Sequence, residues 1–134
     1  TEVRTALDAD RLLVLFPEGT SSGGESVLPF RSSLFEPVTG GGWPITAAAL
    51  TYSLDDGDPS EDVCYWKDMT LVPHLLKLLT KRRIVAHIAF EPFDGPSLDR
   101  KELAKRLHAG VSRLHQVTRE ASRARHSRRH GTGG

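Results

Sequence analysis

Apolar positions along the chain follow two kinds of spacing. Leu12-Leu13-Val14-Leu15-Phe16 is an unbroken apolar run stopped by Pro17. It predicts a strand buried on both faces, as in the parallel sheets of α/β proteins. Pro44 to Tyr52 predicts a second buried strand, with Pro44 at the first position, where a missing N–H is tolerated. Ile84 to Phe90 alternates and predicts a third strand, ended by Pro92 and an Asp94-Gly95-Pro96 turn. Helical spacing governs the other blocks. Residues 2–9 read as the last turns of a helix, and Phe30, Leu34 and Phe35 predict a short helix over Pro29 to Val38. Leu71 to Leu79 is apolar nearly all round and reads as a helix. Ser97 is the expected N-cap of a long helix striped by Leu98, Leu103, Leu107, Val111, Leu114 and Val117. The stripe fades from Arg119 onward. The expected fold class is therefore α/β: a partial, mostly parallel sheet flanked by helices, with a long amphipathic C-terminal helix. Residues 1–118 are expected to form the ordered part, and 119–134 a basic, Gly-ending tail that is disordered.

Composition narrows the class of protein. With 134 residues, 38% hydrophobic and 26% charged, the chain fits one globular domain. No apolar run reaches the roughly 18 residues needed to cross a bilayer. The single cysteine, Cys64, excludes an internal disulfide framework and a Cys-based zinc site. Behind Thr1 no apolar stretch follows a basic start, so no signal peptide is expected, and the lack of an initiator Met suggests a piece of a longer protein. Charge is unevenly placed: residues 1–96 carry 8 Lys and Arg against 14 Asp and Glu, and residues 97–134 carry 10 against 3. That asymmetry points to an anionic neighbour for the basic end. The acidic stretch from Asp55 to Asp62 lacks the spacing of a calcium loop and reads as a solvated turn.

Candidate chemistry is concentrated in Phe16-Pro17-Glu18-Gly19-Thr20-Ser21-Ser22-Gly23. A carboxylate, two glycines and three hydroxyls at a strand's C-terminal end can bind a polar head group through side chains and backbone N–H groups. Arg31 is near enough in sequence to add positive charge. A turn that uses Gly and Ser only for backbone freedom is the plainer reading. Gly19-Thr20-Ser21-Ser22-Gly23 also fits G-x-S-x-G, the elbow that presents a nucleophilic serine. Asp94 and His108 lie downstream as formal partners, but Gly23-Gly24-Glu25 is a poor start for the helix that the elbow requires.

Phe16-Pro17-Glu18-Gly19-Thr20 resembles the F-P-E-G-T block of the glycerolipid acyltransferases, the 1-acyl-sn-glycerol-3-phosphate acyltransferase family. Leu28-Pro29-Phe30-Arg31-Ser32-Ser33-Leu34-Phe35 is similar to the segment that follows it, and Pro44-Ile45 to the proline block opening the next core strand. Trp66-Lys67-Asp68-Met69 with Pro73-His74-Leu75 is similar to bacterial members, including those that acylate lyso-ornithine lipid. The resemblance spans residues 2–118 and marks this region as the C-terminal part of an acyltransferase domain. It implies acyl transfer from acyl-CoA or acyl-carrier protein to the hydroxyl of a lysolipid, with Glu18, Gly19, Thr20, Ser21 and Arg31 holding the acceptor and Pro44 shaping the wall. No metal or cofactor is implied. The family's catalytic H-x-x-x-x-D motif precedes F-P-E-G-T. None of the six histidines, His74, His87, His108, His115, His126 and His130, has Asp five residues on, so no catalytic residue is assigned to this chain and the polypeptide alone is expected to be inactive. Ser21 stands where many members carry Arg, which argues against a phosphomonoester acceptor.

The expected setting is peripheral, on the cytoplasmic face of the cell membrane. An anionic lipid surface is the expected partner of the Arg119–Arg129 cluster. A solvated tail competes with that reading, and nucleic acid is not expected, because few aromatics accompany the basic residues. Leu71 to Leu79, with Lys81-Arg82-Arg83 behind it, fits a core helix or a helix lying on a bilayer. A sheet lacking some of its strands would expose an edge and self-associate. A non-catalytic module that binds anionic lipid, and a hydrolase using Ser21, are the alternatives to acyl transfer.

Overall fold

The computed structural model describes residues 2–55, 57–64, 69–95 and 98–130. In chain order they form α1 (Glu2–Asp8), a 3-10 helix (Ser32–Val38), β1 (Ile45–Leu54), α2 (Pro59–Asp62), α3 (Leu71–Leu79), β2 (Ile84–Phe93) and α4 (Arg100–His130). Of the motif segments, Trp66, Lys67 and Asp68 lie outside the described residues, as does Ser97.

The sheet has two strands, and they run antiparallel, with Ile45 opposite Phe93 and Leu54 opposite Ile84. This corrects the expected mostly parallel sheet. Leu12 to Phe16 does not join it. The run forms neither helix nor strand, with Leu12 92% and Phe16 75% exposed. An unbroken apolar run signals two covered faces only where layers exist to cover them, and here Leu13 and Leu15 are partly covered while Leu12, Val14 and Phe16 lie open. Proline positions also differ from expectation. Pro44 sits just before β1, and Pro92 lies inside β2 rather than ending it.

Period-two alternation decides which sheet face is covered. Ala47, Ala49 and Thr51 of β1 are buried, while Thr46, Ala48 and Leu50 between them are exposed. The covering element is α4. Its Leu103, Ala104 and Leu107 join Phe35 and Ala47 in the core, with Phe30, Val38, Ile45, Phe93, Leu98, Val111 and Leu114 packed around. Leu103 is 2% exposed; truncating a side chain buried to that degree costs about 2–5 kcal/mol. Val117, expected on this stripe, faces solvent instead. The inward position one turn on from Val111 belongs to His115.

Helix starts follow capping chemistry. Asp99 opens α4, its Oδ1 accepting from the N–H groups of Lys101 and Glu102 at 2.8 and 3.1 Å. Those bonds hold the Asp99 carboxyl below its ordinary pKa. The helix continues through His130, beyond the point where its apolar stripe fades. Asp58 caps α2 in the same way, through Ser60 N–H and Oγ. The acidic stretch is thus partly helical, and one of its carboxylates, Asp62, is buried rather than solvated. Its oxygens lie 2.6 Å from Lys77 Nζ and 2.8 Å from Lys81 Nζ, tying α2 to α3 and its C-terminal turn. The Lys77 and Lys81 ammonium groups pull Asp62 from its ordinary 3.8 to about 2.

Candidate functional site

Residues 16–31 fold into a loop closed by its own backbone. Gly19 N–H donates to Phe16 O at 3.2 Å, and Arg31 N–H donates to Pro17 O at 2.9 Å. Glu18 adds a side-chain closure, its Oε2 accepting from Leu28 N–H at 3.0 Å in a half-buried position. Gly19 has φ +65°, and a Cβ placed there would stand 2.7 Å from Arg31 Nε. The arginine side chain therefore lies directly over the glycine, an approach that only Gly permits without displacement.

Glu18, Gly19 and Arg31 are thereby brought together, although Glu18 turns to the Leu28 amide rather than to the guanidinium. Glu18, Thr20, Ser21 and Pro44 line an open hollow of about 1410 Å³. Gly19 and Arg31 stand beside it. The hollow's wall is largely apolar, with Leu12 to Phe16, Ala48, Leu50, Ile88 and Phe90 in its lining, and Arg119 and Arg123 also reach it. Its volume exceeds the roughly 300–1,000 Å³ of most small-molecule sites. A polar turn beside a long apolar wall suits an amphiphile.

The polar loop is fastened to α4 by groups to which the sequence assigned no such role. His108 Nε2–H donates to Val27 O at 3.3 Å, His115 Nε2–H donates to Gly24 O at 3.0 Å, and Arg119 donates to Glu25 O. The His108 ring also meets Phe30 edge-on, with centroids 5.1 Å apart. Further along, Ser122 Oγ lies 3.2 Å from His87 Nε2, and Ser53 Oγ 2.8 Å from the same nitrogen. Beside them Thr51 Oγ1 is buried without a hydrogen-bond partner. His108, His115 and Ser122 are spaced by seven on the apolar stripe. That repeat of polar residues at core positions was the available signal.

Ser21 is followed by irregular backbone and a bend, not the helix an elbow needs. No hydrogen bond among the described residues joins it to a histidine. Among the described residues no group of three His, Cys, Asp or Glu side chains is placed to hold a metal ion. No helix among them is long and apolar enough to cross a membrane.

No protein-family model and no solved structure matches the chain. Curated relatives do. The chain is 33% identical over 124 residues to a lyso-ornithine lipid O-acyltransferase of Rhodobacter capsulatus, covering 82% of this chain and 44% of the relative. It is 35% identical over 106 residues to a lyso-ornithine lipid O-acyltransferase of Pseudomonas aeruginosa, covering 78% of this chain and 41% of the relative. A lysophospholipid acyltransferase of Arabidopsis thaliana is 27% identical over 113 residues, covering 83% of this chain and 19% of its own length. The chain spans less than half the length of these relatives. Homologous over about four fifths of its residues to enzymes named for acylating lysolipids, it is a glycerolipid acyltransferase-like segment.

Proposed function

We propose that this chain supplies the acceptor-binding half of a lysolipid O-acyltransferase, with the acyl group delivered as a thioester of coenzyme A or acyl-carrier protein. The observation that carries the reading is the Glu18-Gly19 turn, stacked under Arg31 at the edge of an apolar hollow. In this reading the acceptor's fatty chain lies along Leu12 to Phe16 and its head group meets the turn. Its free hydroxyl attacks the thioester carbonyl, the C–S bond breaks, and a base takes the hydroxyl proton and returns it to the leaving thiolate. A histidine of the H-x-x-x-x-D type, oriented by its Asp, suits that base at neutral pH. No such motif occurs in these 134 residues, so the chain alone is expected to show no turnover. The turn would contribute orientation of the reacting hydroxyl, not proton transfer.

A lyso-ornithine lipid is the favoured acceptor. An ornithine head group carries a carboxylate and an ammonium but no phosphate, which agrees with Ser21 in place of arginine and leaves Arg31 to meet the carboxylate. Work at a lipid substrate favours a peripheral site on the cytoplasmic face of the membrane. The test uses protein that includes the upstream motif. Glu18→Gln should raise the acceptor KM or lower kcat at least tenfold while leaving the thioester KM unchanged. Unaltered kinetics in that variant would remove Glu18 from the site.

A further inference from the structure

Helix α3 is mounted inside out. Leu71, Val72, Leu75, Leu76 and Leu79 fall on one arc of the helix, and all five are between 48% and 73% exposed. The side turned to the protein carries half-buried His74 and Leu78, with Lys77 reaching in from its edge. Lys77 holds the buried Asp62 at 2.6 Å, and His74 Nε2–H donates to Val63 O at 3.2 Å. Lys81, just after the helix, grips the other oxygen of Asp62. A solvated surface helix does the reverse and turns its apolar stripe inward. None of the α3 residues lines the hollow. Residues 71–90 contain no Asp or Glu, and exposed Arg82 and Arg83 follow the helix with no ion pair among the described residues, while the acids of neighbouring α2 lie on the Lys77 side, away from the apolar arc.

We propose that α3 is a membrane-docking surface. The helix lies in the plane of an anionic bilayer, with its five apolar side chains in the acyl boundary and Arg82 and Arg83 among the lipid head groups. The charge complementarity selects the occupant, since an apolar arc that runs into two exposed, unpaired arginines fits a negatively charged lipid surface. The Asp62 clamp sets the helix at a fixed angle, so docking would present the protein to its lipid substrate in one orientation. The proposal deepens the peripheral-membrane part of the reading above and rests on it.

The test is sedimentation of the purified chain with vesicles of phosphatidylcholine alone or mixed with phosphatidylglycerol. The unaltered chain should partition onto the mixed vesicles at least tenfold better. Leu76→Glu with Leu79→Glu should lose tenfold or more on both kinds, with the far-ultraviolet circular dichroism unchanged, because both side chains are already exposed. Arg82→Gln with Arg83→Gln leaves the apolar arc intact and should lose roughly 30-fold on the mixed vesicles alone, from about 1 kcal/mol per arginine. Vesicle binding that ignores all four substitutions would overturn the proposal. So would no binding at all, or an effect of the glutamates on self-association in place of lipid binding, which would show a second copy covering the face. None of these readouts uses turnover. The Glu18→Gln kinetics, measured on a water-soluble short-chain acceptor, would stand or fall separately.

Discussion

Helices α3 and α4 are both amphipathic, and they face opposite ways. In α4 the apolar stripe of Leu103, Leu107 and Val111 is pressed onto the sheet, and the polar groups on the same stripe, His108, His115 and Ser122, find partners inside the fold. In α3 the apolar arc looks out, and the inward side is held by a carboxylate between two lysines. One helix is fixed by burial, the other by charge. The difference is expected to show in stability, because burial of a large side chain contributes more than a partly solvated ion pair.

The largest effect should come from Leu103→Ala, expected to cost about 2–5 kcal/mol in urea unfolding because the side chain is buried against the sheet. Leu76→Ala on α3 should stay within about 0.5 kcal/mol. Equal costs at the two positions would erase the contrast between the helices. Next comes His115→Ala, which leaves Gly24 O without its donor. A cost of about 1–3 kcal/mol is expected, with faster amide exchange in residues 22–28, and an unchanged exchange pattern would show that α4 does not hold the loop. Asp62→Asn should have a smaller effect, about 1–2 kcal/mol near neutral pH. Because the folded pKa of Asp62 is depressed to about 2 from 3.8, its contribution is fully present above about pH 4 and disappears as pH falls toward 2. Stability measured from pH 5 to pH 2 should therefore fall less steeply in the variant than in the parent chain. Parallel curves would mean that the lysines do not stabilise the carboxylate.

Periodicity made much of the helical content legible. The bounds of α3 coincide with the sequence reading, and the run of α4 through Leu114 follows from its stripe. Periodicity says which residues share a face, but not what that face meets. That is why α3, read first as a core helix, proves exposed, and why Val117 does not complete the α4 stripe. The sheet was misjudged for a related reason. Leu12 to Phe16 has the composition of a doubly buried strand, yet pairing is a long-range property that no local pattern encodes. The chemistry of the Glu18 turn was visible in its letters, whereas its closure by the Leu28 amide was not. The clamp on Asp62 was hidden because its two lysines lie fifteen and nineteen residues away, across segments that read separately.

The central claim is that the Glu18 turn receives the head group of a lysolipid. It is tested most directly by titrating the isotope-labelled chain with a short-chain lyso-ornithine lipid below its micelle concentration and following backbone amide resonances. The account predicts that the amides of Glu18, Gly19, Thr20 and Ser21, with Arg31, shift first and saturably, and that Glu18→Gln weakens the response. Saturable shifts confined to α3 or α4, the same in parent and variant, would contradict it.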